Sequence, residues 1–345
     1  MENKKIKKFY KNKIILVTGG VGSIGSQLVK ELLKHNPKTI RIFDNNETGL
    51  FNLEQELRSK KLRCLVGDVR DKERLKRAIE GVDIVFHAAA LKHVPLCEYN
   101  PFEAMQTNVV GTQNVIDACL ETDVIKMINI STDKAVSPVN VMGATKLLAE
   151  RLVSAANYYK GKRKTSFSSV RFGNVLNSRG SVIPLFEEQI KKGGPITITN
   201  PNMTRFVMSV RRAVDLVLMA AEMAKGGEIF IFKMPVLRIC DLAEVMIQEL
   251  APKYGYNPKE IKVKIIGERI GEKFCEELIT ENEMKNAYET KNIFIISPET
   301  QEKAISKKCF PKKNISTITR ENYFLDKEKI KKLLKESLGL SEKPF

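Results

Sequence analysis

Apolar residues come in two rhythms along this chain. Short apolar-rich runs stand at residues 13–18 (KIILVT), 39–43 (TIRIF), 63–66, 82–87, 126–130 (KMINI) and 166–171. They predict strands, the continuous first run one covered on both faces. The stretches between them, 26–35, 50–60, 72–79, 101–122 and 143–160, carry apolar residues at helical spacing and predict amphipathic helices. Strand and helix alternate from residue 13 to about 172 with no internal repeat and no linker. That order predicts an α/β fold, a doubly wound parallel sheet with right-handed crossovers. From residue 172 to 186 small, polar and apolar residues mix without period, as in a pocket lining or a loop. Helix 210–224 and strand 228–232 are expected to return to the sheet. The expected organisation is a basic leader (1–12), a dinucleotide-binding domain (13–172 with a return segment at about 207–235), an interleaved smaller α/β substrate domain (173–206 and 236–330) and a helical tail (331–345).

The first strand runs directly into Gly19-Gly20-Val21-Gly22-Ser23-Ile24-Gly25 and then a helix. Strand, glycine turn and helix together predict a dinucleotide site. Gly19, Gly22 and Gly25 remove side chains where the turn tightens, where a pyrophosphate meets backbone N–H groups, and where helix packs on strand; Ser23 and Ile24 open the helix. The second strand ends in Asp44, nineteen residues past Gly25, where a carboxylate accepts bonds from ribose hydroxyls and repels a 2′-phosphate. NAD is the expected cofactor, with NADP left open by Arg41 and Asn45-Asn46. Ala88-Ala89-Ala90, after the fourth strand, let a cofactor lie against the backbone.

Residues 131–146 (STDKAVSPVNVMGATK) place an acid, two lysines and several hydroxyls after the fifth strand. Open α/β sheets hold their ligands at such carboxyl ends. Met142 and Lys146, four apart, share a helix face. Asp133 and Lys134 are expected to point to opposite sides of an extended backbone.

This stretch resembles the Thr and Tyr-x-x-x-Lys arrangement of the extended short-chain dehydrogenase/reductase superfamily, with Met142 where tyrosine is usual. The Thr-Asp-Lys run narrows the resemblance to UDP-N-acetylglucosamine 4,6-dehydratases of the polysaccharide-biosynthesis type, over residues 11–330. It implies oxidation at C4 of the hexose, loss of water across C5 and C6, and hydride return to C6. By the same resemblance Thr132 bonds the C4 oxygen, Asp133 is the acid for the departing hydroxyl, Lys134 is the C5 base and Lys146 holds the nicotinamide ribose. Asp68 and Val69 would flank the adenine, Asn108 would serve the cofactor, and Lys92, His93, Asn174, Ser181, Val182, Arg205, Arg269 and Glu272 would serve the substrate. A neutral lysine and a protonated aspartate reverse the usual ionisation, so burial must shift both or the pair must trade a proton. Met142 cannot ionise; Thr132, Asp133 or a water relayed to Lys146 are the candidates to replace the tyrosine. A UDP-sugar 4-epimerase and a catalytically silent cofactor-binding regulator are the competing readings.

Composition changes this little. Lys and Arg number 58 against 41 Asp and Glu, a net +17 over 345 residues, but no nucleic-acid motif or aromatic interleaving accompanies the charge, and a dianionic substrate accounts for it. Six cysteines without C-x-x-C read as thiols in a reducing cytoplasm. His35, His87 and His93 are too dispersed for a metal site. No run reaches the ~18 apolar residues of a membrane span, so a soluble cytoplasmic homo-oligomer is expected. Some relatives with methionine at this position carry an N-terminal membrane region.

Overall fold

The computed structural model describes residues 2–297 and 324–338. Residues 298–323 of the expected substrate segment, Cys309 with them, and 339–345 of the expected tail lie outside the described residues.

The N-terminal half alternates as its periodicity predicts. After α1 (Glu2–Tyr10) come β1 (Ile14–Thr18), α2 (Ser23–Leu33), β2 (Thr39–Asp44), α3 (Glu47–Leu57), β3 (Leu62–Val66), α4 (Lys72–Ile79) and β4 (Ile84–His87). Next are α5 (Val94–Tyr99), α6 (Pro101–Met105), α7 (Gly111–Glu121), β5 (Lys126–Ile130), α8 (Val141–Tyr159) and β6 (Ser166–Arg171). The second half adds β7 (Asn174–Val175), α9 (Val182–Lys191), β8 (Ile196–Ile198), β9 (Thr204–Met208), α10 (Val210–Met223) and β10 (Ile229–Phe232). It closes with β11 (Val236–Arg238), α11 (Ile239–Leu250), β12 (Val263–Ile265), α12 (Glu281–Met284), β13 (Ala287–Glu289), β14 (Ile293–Ile296) and α13 (Lys327–Leu338).

Among the described residues nine strands form one sheet in the order β13-β14-β10-β6-β5-β4-β1-β2-β3. All pairs from β3 to β10 are parallel, and β14 and β13 add antiparallel at the far edge. The order reverses between β1 and β4, where Thr18 stands beside Phe43 on one side and His87 on the other. A crevice opens at such a reversal. Leu16, Phe86 and Phe167 are fully buried in the layers between sheet and helices, each contributing roughly 1.5–3 kcal/mol over exposure. Two small sheets, β11-β9-β7 and β12-β8, build a second lobe with α9, α11 and α13.

Arg171 of β6 ties α8 and α12 to the nine-stranded sheet. Its fully buried guanidinium grips Glu150 of α8 (2.6 and 3.1 Å) and Glu283 of α12 (2.9 and 3.0 Å), and also donates to Leu278 O at 3.0 Å.

Three expectations need refining. The leader, expected to be solvated or loosely helical, is a helix with exposed lysines on one side and Ile6, Phe9 and Tyr10 on the other, and the buried Tyr10 hydroxyl donates to Leu218 O of α10 at 2.8 Å. The single helix expected over 101–122 is interrupted by a π turn at Gln106–Val110, which turns Asn108 inward. The helix of the tail begins at Lys327 and packs Ile330 and Leu334 into the second lobe.

Candidate active site

A cleft of about 400 Å³ opens at the carboxyl ends of β1 to β4. Gly19 has φ +63°, and a Cβ there would lie 2.6 Å from Ala89 N; one on Gly25 would lie 2.2 Å from Gly19 O. The turn therefore presents bare backbone, and no side chain caps the start of α2. Its free N–H groups and dipole suit a pyrophosphate, so the residues present fit a dinucleotide. Gly22, Asp44, Asp68, Val69 and Ala88-Ala89-Ala90 also line the cleft. Asp44 folds back onto the turn, accepting from Val21 N at 3.1 Å and Asn46 N at 3.0 Å. Asp68 is held by the Arg70 guanidinium at 2.8 and 3.0 Å, which keeps its pKa below the usual value. Ser23 Oγ accepts from Arg179 N at 3.0 Å, whereas the Ile24 side chain packs on the core. Asn108 is 1% exposed and makes no approach to the cleft by side chain: it accepts from Leu91 N (2.8 Å) and donates to Leu91 O and Thr145 Oγ1 (both 3.0 Å). Its work is to brace the Ala88–Leu91 loop from behind.

Beyond β5 the chain crosses to β6, with Ser131 N donating to Val170 O at 2.7 Å and Asp133 N to Phe172 O at 3.1 Å. The Thr132 hydroxyl then caps a single 3-10 turn, Asp133–Ala135. That turn corrects the extended backbone expected here. Asp133 and Lys134 do not diverge; Lys134 Nζ lies 3.0 Å from Asp133 Oδ1, which also accepts from the Thr132 hydroxyl at 2.9 Å. Glu276 closes the cluster, with Oε1 3.4 Å from Lys134 Nζ. Burial opposes the Lys134 charge, but Asp133 and Glu276 outweigh it and hold the ammonium's pKa above its ordinary value. Burial alone does not free this amine.

Helix α8 is pressed against the turn, since a Cβ on Gly143 would lie 2.2 Å from Lys134 O. Met142 is 4% exposed and packs with Cys97 and Ala104. Lys146 Nζ donates to Ile130 O at 2.7 Å, and burial brings its pKa down to about 8 despite Glu150. Beneath it His87 sits between the Thr18 and Thr112 hydroxyls (2.7 and 3.1 Å), kept neutral by burial and by the Lys146 charge, with its pKa at about 3.

Asn174, Ser181, Val182 and Arg205 line a smaller second cavity, and the buried Asn174 Oδ1 and Ser181 Oγ have no hydrogen-bond partner among the described residues. Arg205 is 7% exposed and reaches Glu272 Oε1 at 3.4 Å; Glu272 Oε2 accepts from Arg269 N at 3.3 Å, and the exposed Arg269 side chain stands outside that cavity. Lys92 Nζ donates to Arg179 O at 2.7 Å, and a Cβ on Gly180 would meet the His93 ring at 2.5 Å, so this loop shuts against residues 179–180. Sequence reasoning overlooked Glu276 and Arg179. An acid set between Phe274 and Leu278-Ile279 is the one sign of Glu276. Arg179, whose guanidinium donates to Val21 O in the glycine turn, shows none. No cluster of metal ligands occurs among the described residues, and none of their helices is long and apolar enough to cross a membrane.

With this geometry in hand, likeness to known proteins becomes specific. The chain is 65% identical over 331 residues to an uncharacterized membrane protein of Methanocaldococcus jannaschii, covering 96% of this chain and 98% of that one. It is 46% identical over 291 residues to a UDP-N-acetylglucosamine 4,6-dehydratase (inverting) of Campylobacter jejuni (84% of each), and 43% identical over 289 residues to a UDP-glucose 4-epimerase of Rickettsia massiliae (83% of each). The X-ray structure of Pen from Bacillus thuringiensis superposes with a TM-score of 0.80 at 47% identity, covering 84% of this chain and 91% of that one. Residues 15–298 match the model of a family described as polysaccharide biosynthesis protein, and the chain belongs to that family, on the fold of the short-chain dehydrogenases and reductases.

Proposed function

We propose that this chain dehydrates UDP-N-acetylglucosamine across C5 and C6, giving a UDP-4-keto-6-deoxy-N-acetylhexosamine for surface glycans. The observation that carries the reading is the Lys134 ammonium set on the fully buried Asp133 in the turn after β5. An elimination next to a ketone needs a base and an acid at neighbouring carbons, and adjacent residues in contact supply both. A nicotinamide dinucleotide held in the cleft would supply reversible hydride transfer, so that the reaction as a whole would carry no net redox. Asp44 at the ribose hydroxyls favours NAD, Gly19, Gly22 and the start of α2 hold the pyrophosphate, and Lys146 holds the nicotinamide ribose.

The chain's own groups divide the rest. Thr132 offers its hydroxyl to the C4 oxygen. Lys134, once neutral, removes the C5 proton, made acidic by the C4 ketone. Asp133, in contact with Lys134 and Thr132, passes a proton towards the leaving hydroxyl. Asn174, Ser181 and Arg205 bind the sugar and diphosphate, with Arg269 and Glu272 towards the uridine.

A UDP-sugar 4-epimerase is the second reading, supported by the likeness to the Rickettsia enzyme. Against it stands Met142: a buried thioether neither ionises nor donates, and epimerisation has no use for the Lys134 cluster. Incubation with UDP-N-acetylglucosamine, followed by mass spectrometry and NMR of the product, separates the two. A keto-sugar lighter by one water is expected; an N-acetylgalactosamine product, or no turnover, overturns the proposal.

A further inference from the structure

Glu276 gives Lys134 a second buried carboxylate, and the two are not held alike. Asp133 Oδ1 receives the Lys134 ammonium at 3.0 Å and the Thr132 hydroxyl at 2.9 Å. Among the described residues Glu276 Oε1 has Lys134 alone, at 3.4 Å, and each carboxylate leaves its other oxygen, Asp133 Oδ2 and Glu276 Oε2, without a partner, so Asp133 is held by two close donors and Glu276 by one distant one. A buried carboxylate oxygen without a donor is costly while charged and is relieved by a proton. The other charged groups facing Glu276 are engaged elsewhere: the Arg205 guanidinium with Thr204 O, Phe274 O and Glu272, and Lys273 Nζ with Val136 O at 2.9 Å. Burial, aided by the Asp133 charge, raises the Glu276 pKa in spite of Lys134, Arg205 and Lys273. Of the two acids on Lys134, Glu276 is the one ready to take a proton.

We infer that Glu276 is the proton store of this site, accepting a proton from the Lys134 ammonium to free the amine for C5 and returning it once water has left. The inference rests on the dehydratase reading above. In the first step an N–H bond of Lys134 breaks and an O–H bond forms on Glu276, so ammonium and carboxylate become amine and carboxylic acid with no change in total charge. The amine then takes the C5 proton, and the departing C6 hydroxyl takes one proton through the Asp133–Lys134 pair. Return of the stored proton to Lys134 restores the starting state. The C4 hydroxyl gives its proton to solvent at the oxidation step and C5 takes one back from solvent as hydride reaches C6, so the cycle balances. Glu276 touches no reacting atom and acts through Lys134, as a positioning residue.

The test follows the Lys134 amine itself. Protein labelled with ¹⁵N at lysine Nζ is titrated by NMR, the Lys134 resonance being identified by its loss in Lys134→Met. In Glu276→Gln, which keeps shape and removes the acid, the amine is expected to titrate at lower pH than in the parent. The rising limb of the pH profile for UDP-N-acetylglucosamine dehydration should move down with it, while maximal turnover falls on the order of 10²-fold. Glu276→Asp, with the carboxyl drawn back by one methylene, should give an intermediate titration, and it carries the test if the Gln variant does not fold. A Lys134 titration superimposable on the parent's overturns the inference. A shifted titration in a protein whose parent form dehydrates no UDP-N-acetylglucosamine overturns the functional reading and leaves the Lys134–Glu276 coupling standing.

Discussion

A Cβ placed on Gly173 would lie 2.8 Å from Asp133 Oδ2, the carboxylate oxygen that has no hydrogen-bond partner among the described residues. The glycine after Phe172 thus marks the wall of the pocket in which that oxygen sits. Gly173→Ala is expected to push the carboxylate towards Lys134 and lower turnover by about tenfold or more. Overpacking of this kind costs typically 1–3 kcal/mol, so the variant should remain folded. Kinetics beside circular dichroism check it; parent-like turnover would show that this wall does not set the acid's position.

Lys134 and Asp133 are separable by isotope. Without its C5 base, Lys134→Ala should lose dehydration by roughly 10²- to 10⁴-fold and should incorporate no deuterium at C5 from heavy water. Asp133→Asn, in which the base survives, should still exchange C5 while water loss stalls. Exchange in Lys134→Ala as fast as in the parent would remove Lys134 from the role of base.

Lys146 provides a pH test of the fold. Burial lowers its pKa from 10.5 to about 8, so between these values the unfolded chain binds the proton that the folded one has released, and folded stability rises with pH. Below pH 8 the buried charge instead weighs on the fold, by at most about 3 kcal/mol for a shift of this size. Lys146→Met is therefore expected to be inactive, yet more stable than the parent at pH 7, with the gap shrinking by pH 10. Urea midpoints of both proteins at the two pH values measure it; a gap unchanged with pH would mean that Lys146 is not a depressed buried amine.

What the sequence disclosed and what it hid divide by distance along the chain. The glycine turn was legible because Gly19, Gly22 and Gly25 act on one another locally, and the buried strands because a parallel sheet demands apolar-rich runs. The Asp133–Lys134 geometry was misjudged over two residues: the Thr132 hydroxyl, capping Lys134 N at 3.4 Å, curls a backbone that β-strand logic would extend. The role of Asn108 turned on a π turn that no spacing announces. Glu276 was hidden for another reason. It reaches Lys134 only after the chain has built a second lobe and come back, so nothing local distinguishes it from a surface acid.

Arg171 has a consequence for how the molecule can be divided. Its guanidinium belongs to β6 of the nucleotide-binding sheet, but half of its carboxylate partners arrive from α12, and stranding a buried charge by removing one partner costs roughly 3–5 kcal/mol. Cutting the chain after the sixth strand would leave that cation facing Glu150 alone and would also take away β10, which extends the sheet beside β6. The nine-stranded sheet is therefore not complete in the first half of the chain, and any truncation or recombination that keeps β6 must bring α12 and β10 with it.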